Sequence, residues 1–169
     1  GELIMTLALT EPSAKWDADG VQLEAKKQGN DFVLNGVKLF VPDAHVTDQM
    51  VVAARTSQGK TPEEGITLFL VDSRSPGISF EALKTIASDK QCEVTFENVK
   101  APAANVLGEV DKGWPIVEKT KKVATVAACA YLVGLSQMDF DVTLNYAKER
   151  VQFGRPIGSF QAVQHKLAD

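Results

Sequence analysis

The stretch VQLEAKKQGNDFVLNGVKLFV, residues 21–41, decides how the first half of the chain folds. Two runs that mix apolar and polar residues flank the short segment Gly29, Asn30 and Asp31. Gly29 and Asn30 suit the positive φ angles that the centre of a tight two-residue turn requires. The pattern therefore predicts an antiparallel β-hairpin with residues 21–28 and 31–41 as its two strands.

Five other segments have the character of short strands, because they are rich in β-branched and aromatic residues and are bounded by polar, Gly or Pro residues. They are LIMTLAL (3–9), QMVVAART (49–56), ITLFLV (66–71), PGISFEAL (76–83) and CEVTFENV (92–99). No helical pattern lies between them. We therefore expect residues 1–110 to form one β domain, a barrel or sandwich of antiparallel sheets.

The composition changes near Gly108, and the second part of the chain is predicted to be helical. Between Pro115 and Arg150 the sole glycine is Gly134, no further proline occurs, and Ala, Leu and Val recur at helical spacing. About 35 residues at ~1.5 Å each give a helix of roughly 50 Å. Such a helix is longer than a small barrel can cover, so we expect it to be packed on several sides in a helical bundle.

The final segment SFQAVQHKLAD (159–169) predicts the start of a second helix, with Ser159 as its N-cap. Residues 111–169 are thus interpreted as the first part of an incomplete helical bundle, and further protein is expected on both sides of this sequence. The predicted fold class is α+β: an antiparallel barrel or sandwich, then a long helix and the start of a second one.

The overall composition excludes several classes of partner. The 22 acidic and 18 basic residues are interspersed and give a net charge of −4, which argues against nucleic acid. No 18-residue apolar run suggests a membrane span, and the N-terminus lacks the basic flank of a signal peptide. Cys92 and Cys129 lie far apart without metal-ligand spacing, so we expect no metal site and reduced cysteines in a cytoplasmic protein.

Six segments, in order along the chain, resemble motifs of the acyl-CoA dehydrogenases, flavoproteins that oxidise the α,β bond of an acyl-CoA thioester. They are LTEPSAKWD (9–17), LNGVKLFVPDA (34–44), GITLFLVD (65–72), VTFENVKAP (94–102), NVLGEVDKGW (105–114) and YAKERVQFGRPIGSFQAVQHKLAD (146–169). The resemblance runs over essentially the whole chain. It implies that the β domain is the family's middle domain and that the helices begin its C-terminal four-helix bundle. The family's catalytic glutamate then lies outside this sequence, so no catalytic residue is predicted here.

The resemblance implies FAD as the cofactor and assigns four residues of the β domain to its flavin ring. Leu9 and Thr10 match positions that hydrogen-bond the isoalloxazine edge through hydroxyl and backbone groups. Phe40 and Val41 match positions beside the ring, where an aromatic side chain excludes water and supports stacking. The residues alone leave another interpretation open for Phe40, that of an ordinary inward-facing strand residue.

The resemblance assigns three more residues to FAD, through a loop that reaches across a subunit interface to the neighbouring chain. Arg150 pairs with the pyrophosphate, which suits a planar cation facing phosphate oxygens. Phe153 packs against the cofactor, and Gln161 provides an amide for its polar groups. Without the family, the same residues could be an arginine at a helix C-terminus, a buried phenylalanine and a solvated glutamine.

Two functional hypotheses follow from the resemblance. The first is an active dehydrogenase that converts an acyl-CoA to the 2-enoyl-CoA, passes electrons to an electron-accepting flavoprotein or similar acceptor, and forms a homo- or hetero-oligomer; this chain alone is expected to be inactive. The second is a non-catalytic partner subunit that completes a neighbour's FAD site. The second rests on departures from the motifs, since Lys15 and Trp16 replace a usual Gly-Ser pair and Pro42 replaces a threonine. An oxidase or flavin monooxygenase of the same fold is a third interpretation.

Overall fold

The computed structural model describes residues 1–168, which form two compact units, Gly1–Glu118 and the part from Lys119 onwards. The first unit contains seven strands: β1 (Met5–Ala8), β2 (Glu24–Gln28), β3 (Asp31–Pro42), β4 (Gln49–Arg55), β5 (Ile66–Asp72), β6 (Ile78–Leu83) and β7 (Gln91–Ala101). Helix α1 (Trp114–Glu149) follows, then β8 (Val151–Gln152), β9 (Arg155–Pro156) and α2 (Gln161–Ala168). The units divide inside α1, and the predicted domain boundary between residues 110 and 111 stays a prediction.

The seven strands of the first unit form one curved, half-barrel sheet in the order β1-β4-β2-β3-β7-β6, with β5 also paired to β4. Four strand pairs are antiparallel, namely β2–β3, β3–β7, β4–β5 and β6–β7. The predicted barrel-like architecture is confirmed, but two pairs, β1–β4 and the short β2–β4 contact, are parallel. A long connection that contains the β2–β3 hairpin separates β1 from β4, and such a connection allows a parallel return.

The predicted hairpin is confirmed, with Gln28 opposite Asp31 and a two-residue turn between them. Gly29 has a φ of +64°, whereas Asn30 is not among the residues with positive φ, so the expectation that both are positive is wrong. A positive φ at the first central position alone is the pattern of a type II′ turn, which selects glycine there.

The core of the first unit is formed by the buried faces of its strands. Along β7, for example, Cys92, Val94 and Phe96 are buried and alternate with more exposed residues, as the period of two in a strand requires. A second, smaller cluster forms where Trp114 and Val117, from the first turn of α1, pack on β5. The beginning of the long helix is therefore part of the core of the first unit.

Helix α1 has 36 residues and confirms the predicted long helix. Its apolar side chains lie around the whole circumference, and after the first turn many are exposed, including Val123, Val126, Tyr131, Leu132, Val133, Leu135, Met138, Phe140 and Val142. By length and composition alone it could cross a membrane, so the expectation that no such run exists is wrong in that respect. The core helix of a helical bundle has the same composition. The absence of a membrane span stays a prediction.

Helix α2 confirms the predicted second helix, as far as the described residues reach, and Asp169 lies outside them. The predicted N-cap is wrong. The hydroxyl of Ser159 donates to the carbonyl of Pro156 (2.7 Å) and so closes the 3₁₀ turn that precedes the helix. The carbonyl of Phe160 accepts the N–H groups of Val163 (3.0 Å) and Gln164 (3.1 Å), so the helix begins one residue later.

Arg55, at the end of β4, ties two loops to the sheet. Its buried guanidinium donates to the carbonyls of Ala18 (2.9 Å), Val21 (3.1 Å), Pro62 (3.0 Å) and Glu64 (2.8 Å). Burial lowers the pKa of Arg55 from its ordinary value. The planar fork of an arginine is suited to several acceptors in different directions, which a lysine ammonium cannot reach together.

Replacing Arg55 by lysine is therefore expected to lower the free energy of unfolding by about 2–4 kcal/mol, since buried carbonyls lose their donors. Both tryptophans, Trp16 and Trp114, belong to the first unit, so urea denaturation followed by tryptophan fluorescence measures this change. Arg74→Lys is the matched control, because Arg74 is exposed and pairs with Asp48 at 3.7 Å. Equal losses in the two variants would contradict the structural role given to Arg55.

Candidate functional site

Four of the predicted site residues lie together where β1 ends against β3. Leu9 and Thr10 follow β1, and both of their carbonyls face β3. Lys38 Nζ donates to the Leu9 carbonyl (3.1 Å), and the Leu39 N–H donates to the Thr10 carbonyl (2.8 Å). The next residues along β3 are the predicted Phe40 and Val41, so the structure brings this group into one place.

A β-bulge turns Phe40 out of the core. In a regular strand Lys38 and Phe40 would point to the same face, yet Lys38 is fully buried and Phe40 is 49% exposed. The pairing with β7 shifts by one residue between Lys38 and Val41, and Phe40 has a φ of +54°. Val41 then returns to the core. The interpretation of Phe40 as an inward-facing strand residue is therefore wrong, and its left-handed backbone costs about 1–2 kcal/mol.

Thr10 presents two donors beside this bulge. Within residues 1–168, neither its N–H nor its hydroxyl donates a hydrogen bond to another protein group, although the residue is partly buried. Two unpaired donors next to an outward-turned aromatic ring suit a flat ligand with acceptors along one edge. The residues present thus fit the isoalloxazine part of FAD, and the role assigned to each toward the cofactor stays a prediction.

A buried ion pair lies directly beneath the same segment. Lys38 Nζ is 2.7 Å from Glu11 Oε1, and both side chains are buried. The Glu11 carboxylate also accepts the N–H groups of Gln22 (3.0 Å) and Leu23 (2.9 Å). Burial lowers the pKa of Lys38 to about 8, partly offset by the Glu11 carboxylate. Lys38 is not among the predicted site residues, and a lysine within the otherwise apolar end of β3 is the signal that could have identified it.

The second predicted group lies on the β8–β9 hairpin. Phe153 (φ +55°) and Gly154 (φ +78°) form its two-residue turn, and two positive φ angles are the pattern of a type I′ turn. Phe153 is 92% exposed, so its interpretation as a buried phenylalanine is wrong. The centroids of the Phe153 and Phe160 rings are 6.1 Å apart in an edge-to-face arrangement, and the Arg155 guanidinium carbon lies 4.1 Å from the centroid of the Phe160 ring.

The other two residues of this group flank the hairpin, with Arg150 directly before β8 and Gln161 at the start of α2. The Ile157 N–H donates to the Arg150 carbonyl (2.8 Å), which ties the end of α1 to the hairpin. Gln161 directly follows Phe160, whose ring contacts Phe153. Arg150 and Gln161 are both exposed, and Arg150 forms no ion pair among the described residues. The segment from Arg150 to Gln161, called the hairpin loop below, therefore carries a cation, an aromatic ring and an amide.

The departures from the family motifs are also exposed. Trp16, in place of a usual small residue, is 66% exposed and so does not fill the interior of the first unit. Pro42, in place of a threonine, ends β3 at an exposed position. Among the residues described, no group of three or more His, Cys, Asp or Glu side chains could hold a metal ion, and both cysteines are free.

The shifted Lys38 pKa predicts how stability depends on pH. The folded-state pKa of about 8 lies below the ordinary value of 10.5, so between these pH values the unfolded chain binds more protons and stability rises with pH. The full gain is about 3 kcal/mol. Below pH ~8 the lysine is charged in both states and adds no slope.

The variant Glu11→Gln/Lys38→Met lacks both charges and is the reference for this measurement. Urea denaturation across this range should show the wild type gaining stability relative to the double variant as the pH rises. A difference that stays flat or falls would contradict the lowered pKa of Lys38.

Family models match both parts of the chain. The model described as "Acyl-CoA dehydrogenase, middle domain" matches residues 6–99, and the one described as "Acyl-CoA dehydrogenase, C-terminal domain" matches residues 111–169. The first match alone covers more than half of the chain and includes β1, the hairpin and the bulge in β3.

Two curated relatives match the whole chain. A 3-(aryl)acrylate reductase of Clostridium sporogenes is 39% identical, and the CarC subunit of a caffeyl-CoA reductase-Etf complex of Acetobacterium woodii is 37% identical. Each match covers 100% of this chain and 45% of the relative, so the chain spans about half the length of these proteins.

A solved structure agrees with the fold. The glutaryl-CoA dehydrogenase of Mycobacterium smegmatis, described as in complex with FADH2, has a TM-score of 0.83 and 25% identity to this chain. The match covers 99% of this chain and 42% of that one. Taken with the two family models, these matches show that the chain belongs to the acyl-CoA dehydrogenase family of FAD-dependent oxidoreductases.

Proposed function

We propose that this chain supplies the middle domain and the first helices of an FAD-dependent acyl-CoA dehydrogenase, which oxidises the α,β bond of an acyl-CoA thioester to the 2-enoyl-CoA. The observation that carries the proposal is the pair of unpaired Thr10 donors beside the outward-turned Phe40. Membership of the family supports it, because the same segments hold the resembling motifs.

Each group of residues has a distinct task in this proposal. The Thr10 N–H and hydroxyl hold the polar edge of the isoalloxazine ring, and Phe40 shields its face from water. When bound, FAD supplies the redox chemistry by accepting a hydride from the substrate's β carbon. The base that removes the α proton is expected to be a glutamate outside this sequence.

The hairpin loop has a task of its own in the same proposal. Arg150 neutralises the pyrophosphate of an FAD held mainly by a neighbouring chain, where two charge-assisted hydrogen bonds suit its planar fork. Phe153 packs on that cofactor, and Gln161 offers an amide to its polar groups. The exposure of all three side chains in this chain supports a role toward another molecule.

The direction of the reaction and the electron acceptor are also proposals. Two relatives are named as reductases, and one of them is a subunit of an Etf complex. We take oxidation as the direction in this protein and an electron-transferring flavoprotein or similar acceptor as its partner, within a homo- or hetero-oligomer. A cytoplasmic location with both cysteines reduced belongs to the same proposal.

A second candidate function is a non-catalytic partner subunit. Pro42 has neither a hydroxyl nor an N–H where the family motif has a threonine, and Lys15 and Trp16 replace small residues nearby. The Arg150 to Gln161 loop keeps its motif. A chain of this kind would complete a neighbour's FAD site while its own site binds the cofactor poorly.

The visible absorption spectrum of the purified full-length protein separates the two candidates. We expect about one FAD per chain, bleached when an acyl-CoA is added under anaerobic conditions, because the protein then carries a complete site. A colourless protein that gains half a flavin per chain only when it is co-expressed with a related chain would contradict this and support the partner subunit. A protein that is colourless in both preparations would contradict both candidates.

Replacing Arg150 by methionine is expected to raise the dissociation constant for FAD by about 10- to 100-fold, because charge-assisted hydrogen bonds to phosphate are lost. The backbone bonds of Arg150 to Tyr146 and Ile157 do not involve its side chain, so the loop keeps its shape. Quenching of flavin fluorescence during titration of the apoprotein measures the constant. Arg74→Met, at an exposed site in the first unit, is the control, and equal affinities of the two variants would refute the assignment.

A further inference from the structure

Lys38 is a charged residue inside the core, where lysine is rarely found. Its side chain is fully buried on β3 and reaches two acceptors, the Leu9 carbonyl (3.1 Å) and Glu11 Oε1 (2.7 Å). Burying an ammonium and a carboxylate costs several kcal/mol per ion, and replacing such a pair by apolar side chains is often neutral or stabilising. The stability of the barrel therefore gives little reason for a lysine at this position. Its two acceptors indicate instead that Lys38 positions the backbone around it.

The hydrogen bond from Lys38 Nζ to the Leu9 carbonyl fixes the orientation of the peptide group that joins Leu9 and Thr10. A trans peptide is planar, so its C=O and N–H point in opposite directions. Because the Leu9 carbonyl points inward to Lys38 Nζ, the N–H of Thr10 points away from the interior. This N–H is one of the two donors without a protein acceptor within residues 1–168.

Two further bonds hold the same segment on either side of this donor. The Thr10 carbonyl accepts the N–H of Leu39 (2.8 Å), so its next peptide group is also fixed against β3. The Glu11 carboxylate accepts the N–H groups of Gln22 and Leu23, so the partner of Lys38 is itself held by the segment that leads into β2. The Lys38 ammonium therefore donates to the Leu9 carbonyl from a position that the Glu11 carboxylate fixes.

We propose that Lys38 is a positioning residue for the cofactor: from inside the barrel, with Glu11 as its anchor, it orients the Leu9–Thr10 peptide so that the Thr10 donors meet the flavin edge. This inference rests on the proposed function, since it needs a flavin at that edge. Lys38 itself has no exposed atoms and does not touch the cofactor. Its effect on the cofactor passes through the backbone of Leu9 and Thr10.

The test uses Lys38→Met in the full-length protein, because methionine is of similar length and removes the donor. Glu11→Gln/Lys38→Met is the second variant, which avoids an unpaired buried carboxylate if the single variant folds poorly. Lys100→Met, an exposed lysine on β7, is the matched control. The measurements are the FAD dissociation constant of the folded apoproteins and the position of the absorption bands of bound flavin.

We expect the dissociation constant to rise about tenfold in the Lys38 variants, with displaced flavin bands, and to stay unchanged in the control. A double-mutant cycle with Thr10→Pro, which removes both the N–H and the hydroxyl of Thr10, separates positioning from a merely structural role. If Lys38 acts through Thr10, losing Lys38 should matter less in the Thr10→Pro background, so that the two effects are not additive.

The outcomes distinguish this inference from the proposed function. A wild-type protein that binds no FAD, alone or with a related chain, would overturn both. A flavin-loaded wild type whose Lys38 variants keep the same dissociation constant and spectrum would overturn this inference alone. So would strictly additive effects of Lys38→Met and Thr10→Pro.

Discussion

The buried ion pair between Lys38 and Glu11 is the interaction on which the arrangement of the site depends. It joins three segments that are distant in sequence: the residues after β1, the entry to β2, and β3. Such a pair is costly to desolvate, and it is tolerated here because the carboxylate accepts two backbone N–H groups and the ammonium donates to a carbonyl. The same hydrogen bonds that compensate the two charges also fix the backbone of Leu9 and Thr10, beside the proposed position of the flavin ring.

The bulge in β3 shows how one strand can serve both the core and the site. With a strict period of two, the face that buries Lys38 would also bury Phe40. One extra residue interrupts the alternation of side chains between the two faces. The ring of Phe40 therefore points outward, while the Val41 side chain lies in the core. The positive φ of Phe40 is unfavourable for an aromatic residue, and the neighbouring bonds to Leu9 and Thr10 hold the strand in this conformation.

The sequence predicts those features that depend on local periodicity and turn chemistry. Glycine at position 29 predicts the hairpin, and the scarcity of Gly and Pro predicts α1 within one residue at each end. The parallel pairing of β1 with β4 is non-local and leaves no signal in either strand. The bulge is equally hidden, because nothing in "VKLFV" distinguishes a bulged strand from a regular one. The family motifs therefore identify Phe40 as a candidate cofactor residue, but only the structure shows that its side chain is exposed.

The hairpin loop differs from the first group of site residues because its own contacts determine its shape. A type I′ turn, the edge contact of Phe153 with Phe160, the stacking of Arg155 and the bond from Ile157 to Arg150 all lie within a dozen residues. These contacts all join residues of the second unit. Substitutions in the β domain, such as Pro42, therefore leave the contacts of the loop unchanged. The loop can therefore have the same geometry under either proposed function, that of an enzyme or that of a partner subunit.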